Sequence, residues 1–417
     1  MKRKKSFLNF AIGLSVSFFV MACNNPCKHE NCKCDPCAGD SCRCDSVGLI
    51  VDPPEEQPMV NQAIIYLDNS ESMRGYVGDI KGYTDVLTQL THAYKNTQVL
   101  LCCNEYKPLN GDLVSEVKKL KYGGSSLLHN DMKAMLGKAK AGTVLFFVTD
   151  GIMSGKDTNI KEDYQWTLSH ASYLKLKIKE LFAEKNDVAV SIYQFAAQFN
   201  GKYFCYDNSN TVIRTTRYFY VFVMGQAKDV NDFKEKYVGS DYFKPTNQLH
   251  FIDHLPLSGG INVKNAKHGA GDVWEFDLEA INKKSDNPKM MEVTITSDLF
   301  KAELNDKQIA ELDKSFDVKI GDKNLDDVTT YDEAKRKYFI VFRPAIGGSK
   351  FNLEIAVPFK MPAWVASSSC SDDQYMKQKG MADSKTFLLQ ELIDGIRQGK
   401  LGNTENIYQT TVRLKRK

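Results

Sequence analysis

An apolar run, Ala63-Ile-Ile-Tyr-Leu67, stops at Asp68-Asn-Ser70-Glu-Ser72. Residues two apart in extended backbone face the same way. The Asp68 carboxylate and the Ser70 and Ser72 hydroxyls therefore converge on one point past the end of the strand that the run predicts. In an open α/β sheet that edge is where ligands bind. A second cluster offers softer chemistry. Cys27-Lys-His-Glu-Asn-Cys32-Lys-Cys34 recurs ten residues on as Cys37-Ala-Gly-Asp-Ser-Cys42-Arg-Cys44, each unit reading C-x4-C-x-C. In an exported chain these six thiols read as disulfides, with thiolate metal binding beside His29 as the rival. Too few apolar residues surround them to build a core, and a mostly disordered tether is the third reading.

The chain opens with Lys2, Arg3, Lys4 and Lys5, followed by an apolar run over 7–22 and then by Cys23. Sixteen residues fall short of the roughly 20 that a spanning helix needs. A small residue before a cut suits a signal peptidase. Val20-Met21-Ala22-Cys23 resembles the bacterial lipobox, although Val20 replaces the commoner Leu and Met21 the usual small residue. That resemblance implies a lipoprotein signal peptide over 1–22 and lipid on Cys23. Acyl chains contribute ~0.8 kcal/mol per buried CH₂, so the protein is expected on a membrane without a spanning helix. Asn24 is not the Asp that resembles an inner-membrane retention signal, which points to the outer membrane of a Gram-negative envelope. Without the four leading bases, the chain's 55 bases and 52 acids become a balance near −1. That removes the electrostatic case for nucleic acid as a partner.

These residues need elements to position them. With 417 residues, 42% hydrophobic and 26% charged, the chain has the composition of a globular protein of two or three domains. Asp52-Pro53-Pro54-Glu55-Glu56-Gln57-Pro58 is an acidic, Pro-rich spacer that closes a tether over 23–59. From 60 to 250 strands and helices alternate, the signature of a doubly wound α/β sheet. Runs at 63–67, 99–103 and 143–148 are continuous and, apart from Thr143, apolar, as buried parallel strands are. Val188, Val190 and Ile192 alternate as a fourth strand, and 218–224 gives a fifth. Ala171, Leu174, Ile178, Leu181 and Phe182 recur at helical spacing, and 229–237 reads as another helix. Cys102 and Cys103 are expected as inert buried thiols. From 251 to 365 the pattern changes to period two, as at Met291, Val293 and Ile295 and at Phe351, Leu353, Ile355 and Val357. That predicts a β-sandwich-like domain. Residues 366–417 read as a polar loop, a C-terminal helix with Leu388, Leu392, Ile393 and Ile396 on one face, and a solvated basic tail at 413–417. Gly399 is the expected stop of that helix.

The strand ending in D-x-S-x-S resembles the first metal-ion motif of von Willebrand factor type A domains, and two further pieces follow in family order. Tyr122-Gly123-Gly124-Ser125-Ser126 resembles the second loop, with Ser125 where a Thr is usual. Thr143-Val-Leu-Phe-Phe-Val-Thr149-Asp150-Gly151 resembles the third, a buried strand ending in T-D-G. The resemblance covers roughly 190 residues, under half the chain. It implies a Rossmann-like domain with a metal-ion-dependent adhesion site formed by Asp68, Ser70, Ser72, Ser125 and Asp150. Mg²⁺ is small and hard and wants near-octahedral oxygen ligands, which two carboxylates and three hydroxyls supply, partly through water. Mn²⁺ and Ca²⁺ are the alternative ions. The coordination position left open is implied to take an acidic side chain of a protein partner.

No base is poised to activate water, so binding rather than catalysis is expected. Ser125 or Ser126 with His129 makes a poor hydrolytic pair, because no orienting acid accompanies them. The stretch 74–83 and the polar stretch 152–166 are expected to rim the site. Arg74, Tyr76 and Tyr83 stand there as binding anchors or as local packing. The competing reading places the activity in the Cys-rich repeat, as a metal-capturing or redox-responsive envelope protein.

Overall fold

The computed structural model describes residues 62–102, 106–123, 128–152, 164–205, 209–240, 243–252, 260–269, 273–277, 290–297, 309, 312–343, 349–378, 384–402 and 406–417. Cys23 and the repeat cysteines 27–44 lie outside them. Seven strands form one mixed sheet. β1 (Gln62–Asp68), β2 (Thr97–Cys102), β3 (Lys107–Pro108) and β4 (Thr143–Thr149) make its first half. β1 runs parallel to both β2 and β4, and β3 is a short antiparallel edge on β2. β5 (Val188–Phe204), β6 (Asn210–Gln226) and β7 (Asn247–Phe251) make the second half. The order is β3-β2-β1-β4-β6-β5-β7.

A sheet doubly wound throughout would keep its five strands parallel, and this one does not. β6 turns back from β5 through residues 205–209 and inserts between β4 and β5, antiparallel to both. A connection that short suits a hairpin, whereas a parallel crossover needs about a dozen residues or more. Residues 218–224, expected as a separate strand, are the inner part of this hairpin.

Strands β1 and β4 are apolar because both of their faces are covered. Ala63, Ile65 and Leu67 join a core with α1 (Asp85–His92), α2 (Leu113–Lys119) and, further along, α5 (Ala227–Tyr237). Ile64 and Tyr66 join the opposite core with α3 (Leu128–Leu136) and α4 (Tyr164–Glu184). Alternate side chains of a strand point to opposite faces, so two-sided burial demands an unbroken apolar run. The helix α4 begins at Tyr164, so the stretch expected as loop to Trp166 is already helical there.

Beyond β7 the chain changes texture. It forms β8 (Ile261–Val263), β9 (Ala266–His268), β10 (Val273–Phe276), β11 (Met291–Thr296), β12 (Asp317–Ile320), β13 (Lys323–Asn324), β14 (Thr329–Asp332), β15 (Lys337–Phe342) and β16 (Lys350–Pro358). It then returns to the first sheet as α6 (Ala363–Ser367), β17 (Ser369–Cys370), β18 (Thr386–Phe387) and α7 (Leu389–Leu401). Last, β19 (Asn406–Arg416) goes back to the β-rich part. The two sheets there run β13-β12-β16-β19-β10-β9 and β14-β15-β11-β8. Val293, Ile295, Ile340 and Phe342 of one meet Leu353, Ile355, Val412 and Leu414 of the other in a single core.

Two expectations about this end of the chain are corrected. The residues read as a solvated tail are strand as far as Arg416: Val412 and Leu414 are buried, and Arg413 and Arg416 are exposed. Gly399 does not stop the helix. α7 runs on to Leu401, and Gly402, at φ +61°, lies at its C-terminal end. Gly395 and Gly399 instead face α4. A Cβ on Gly399 would stand 2.7 Å from Phe182 Cβ, and one on Gly395 would stand 2.8 Å from the Lys175 carbonyl. Only glycine permits so close an approach of the two helices.

Candidate metal centre

The register of β1 and β4 pairs Leu67 with Val148, which sets Asp68 level with Thr149. Thr149 Oγ1 donates to Asp68 Oδ2 at 2.7 Å. The chain then turns away from β1 so that the Ser70 backbone N–H donates to Asp68 Oδ1 at 2.9 Å. Ser70 and Ser72 hydroxyls lie 3.1 Å apart. Ser72 lies near enough to the Asp150 carboxylate to favour its charged form, and Asp150 Oδ1 accepts from the Ile152 N–H at 3.1 Å. Asp68, Ser70, Ser72 and Asp150 are all buried, and they gather at the ends of two neighbouring parallel strands. Gly151, at φ +74°, takes the left-handed turn that lets the chain leave β4.

The second loop reaches the first through its backbone: the Gly123 N–H donates to the Asn69 carbonyl at 3.0 Å. Ser125 and Ser126 themselves fall outside the described residues. Thr149 is the site hydroxyl that motif reading passes over. Its only signal is the T of T-D-G, which in sequence is one more residue of an apolar strand.

Burial, and then the Asp68 charge, push the Asp150 pKa up to about 7, against the opposing pull of Ser72, of the Ile152 N–H and of Arg217. Arg217 is wholly buried on β6. Its guanidinium lies 4.5 Å from the Tyr203 ring centroid and donates to the Lys385 carbonyl at 2.9 Å. The returning C-terminal segment supports this side of the site. Tyr203 donates to Asp373 Oδ2 at 2.8 Å, Gln194 donates to the Ser368 hydroxyl at 2.9 Å, and Tyr220 and Thr386 hydroxyls lie 3.2 Å apart.

The donor set fits a hard cation. Buried carboxylate and hydroxyl oxygens suit Mg²⁺ in the company of water. The Asn69 Oδ1 and Tyr83 hydroxyl are buried and make no hydrogen bond within the described residues. Burial above all, with neighbouring Tyr122 and the charges of Asp68 and Asp150, holds the Tyr83 pKa well above its ordinary value.

Tyr76 and Tyr83 are core residues, not exposed anchors. Both rings pack on Phe219, at 5.8 and 5.2 Å between centroids, and the Tyr76 hydroxyl donates to the Tyr218 carbonyl. The stretch 74–83 is itself ordered by Asp79, which accepts from the Lys81 and Gly82 N–H groups and from Gln198 on β5. Arg74 stays at the surface with Glu71 at 3.6 Å, a pairing of little energetic weight. His129 packs edge-on against Tyr173, and its Nδ1 has no hydrogen-bond partner among the described residues. Cys102 is buried at the end of β2, and Cys103 is outside the described residues. Among the described residues no helix is long and apolar enough to cross a membrane.

No family model matches the chain, and no curated protein or solved structure is similar to it.

Proposed function

We propose that the α/β part is a von Willebrand factor type A-like domain that binds a protein partner through a Mg²⁺ held at the end of β1 and β4, with Mn²⁺ or Ca²⁺ as substitutes. The observation that carries the reading is the gathering of Asp68, Ser70, Ser72 and Asp150, all buried, at the ends of β1 and β4. These are the residues that the family resemblance of the three motifs assigns to such a site, with Ser125 as the fifth. Helices on both faces of the sheet and the parallel β2-β1-β4 core support the same reading. The ion would supply positive charge and one exchangeable position for an acidic side chain of the partner. The chain's own residues orient the oxygens and exclude bulk water. In this reading the role is binding. In the same reading Cys23 carries the lipid that fixes the protein to the outer membrane.

A thermal-shift titration tests this. Mg²⁺ stabilises whichever state binds it, so the wild-type melting temperature is expected to rise with concentration. Asp68→Ala and Asp150→Ala are expected to fold yet show no rise. A wild type indifferent to Mg²⁺, Mn²⁺ and Ca²⁺ would end the metal reading. Unprocessed Cys23→Ser precursor, free of acyl label, is the outcome expected for the anchor.

A further inference from the structure

Asp131 lies outside every motif that points to the site. It sits near the start of α3, the helix that follows the Gly-Gly loop, and is only 7% exposed. The alternation of β1 puts Tyr66 and Asp68 on the same face of the sheet, the face that α3 covers. Tyr106 bridges the two elements. Its ring stands edge-on to Tyr66, 6.0 Å between centroids, and its hydroxyl donates to Asp131 Oδ1 at 3.1 Å. Asp131 is thereby held beside the end of β1. Burial first, and then the Asp68 charge, raise its pKa to about 6. Yet among the described residues no three Asp, Glu, His or Cys side chains converge tightly enough to hold one ion. Asp131 is therefore not a third direct carboxylate alongside Asp68 and Asp150.

We infer that Asp131, oriented by Tyr106, is a charge-setting residue of the metal centre: it strengthens cation binding through its field without touching the ion. This rests on the metal-binding reading above. Coulomb attraction grows in proportion to the charge of the cation. A carboxylate acting at a distance must therefore favour a trivalent ion over a divalent one, which a residue of merely structural importance would not do. It must also repel Asp68 when no cation is present, so its neutralisation cannot weaken the metal-free fold by way of charge.

The test uses the purified full chain as wild type, Asp68→Ala, Asp131→Asn, Asp131→Glu and Tyr106→Phe. Mg²⁺ affinity is read by calorimetry, Tb³⁺ affinity by tyrosine-sensitised luminescence, and metal-free stability by melting temperature. Groups just outside a metal's ligand shell ordinarily change affinity by about 10- to 100-fold. Asp131→Asn is expected to weaken Mg²⁺ by about 10-fold, and the charge ratio then makes the Tb³⁺ loss about 30-fold. Its metal-free melting temperature should equal or exceed that of wild type. Asp131→Glu should restore most of the affinity, and Tyr106→Phe should fall between the two. Asp131→Asn binding both ions like wild type, beside an Asp68→Ala that binds neither, overturns this inference alone. Equal losses for both ions with a lowered metal-free melting temperature overturn it too, as a packing effect. A wild type that binds neither ion removes the metal reading and this inference together.

Discussion

From Ala63 onward in β1 and throughout β4 every residue is buried, whereas β5 and β6 are continuously buried only over 188–195 and 219–225. Beyond those points the hairpin alternates, with Ala197, Phe199, Tyr203, Ile213 and Arg217 turned inward and polar residues turned out. The change marks where helices cease to cover both faces. The short parallel strands end abruptly, with carboxylates on buried backbone, and there the candidate site is built. The long antiparallel arms run on past the sheet and cover the turn that follows β1: a Cβ on Gly75 would overlap the Phe199 ring at 2.2 Å. One half of the sheet presents chemistry and the other half confines it.

The comparison breaks most severely at the buried parallel half. Phe146→Ala removes a wholly buried ring that meets Phe233 at 5.0 Å, and such truncations cost about 3–5 kcal/mol. Urea denaturation should show that loss, and the variant should lose any Mg²⁺-dependent stabilisation at temperatures where it no longer folds. A smaller effect tests the join between the halves. Gly75→Ala should destabilise by about 1–3 kcal/mol through overpacking, and Phe199→Ala in the same chain should recover part of it. Additive costs in that double-mutant cycle would mean that the hairpin does not confine the turn.

The pH dependence sharpens the picture of the site itself. With the Asp150 pKa raised in the fold, its proton favours folding below about pH 4, and that contribution is lost as pH rises through about 7. A bound cation competes with the same proton. The Mg²⁺-induced rise in melting temperature should therefore be slight near pH 5 and full above about pH 7.5. A rise that is the same at both pH values would mean that the ion sits elsewhere. The smallest change belongs to the far arm: Val212, 66% exposed, should accept Thr at a cost under about 0.5 kcal/mol with Mg²⁺ binding unchanged.

What sequence could and could not show follows the same division. β1 and β4 were legible because two-sided burial leaves an unbroken apolar run and a sharp polar end, and Asp68, Ser70, Ser72 and Asp150 lie where that pattern breaks. The hairpin was not legible. Gln198, Asn200 and Lys202 interrupt the apolar residues on β5, and pairing with Thr216, Arg214 and Val212 depends on a partner strand that no local pattern names. Arg217 reads as a surface charge until the Tyr203 and Phe199 rings are seen around it. Asp131 resembles any solvated helix acid, because its contact with Tyr106 spans 25 residues of sequence. In β19 the flanking Arg and Lys residues mask the period-two spacing of Val412 and Leu414.

That last strand has a consequence for how the chain is made. β19 enters the middle of its sheet, parallel to β10 on one side and antiparallel to β16 on the other. Until residues 406–416 leave the ribosome, both neighbours present unpaired backbone, and the sheet cannot close however early its other strands appear. Open edges of this kind invite pairing with strands of other molecules. The β-rich part must therefore fold after its own translation is complete. Any pause ahead of Asn406 leaves β16 and β10 with unpaired edges that β19 covers in the finished sheet.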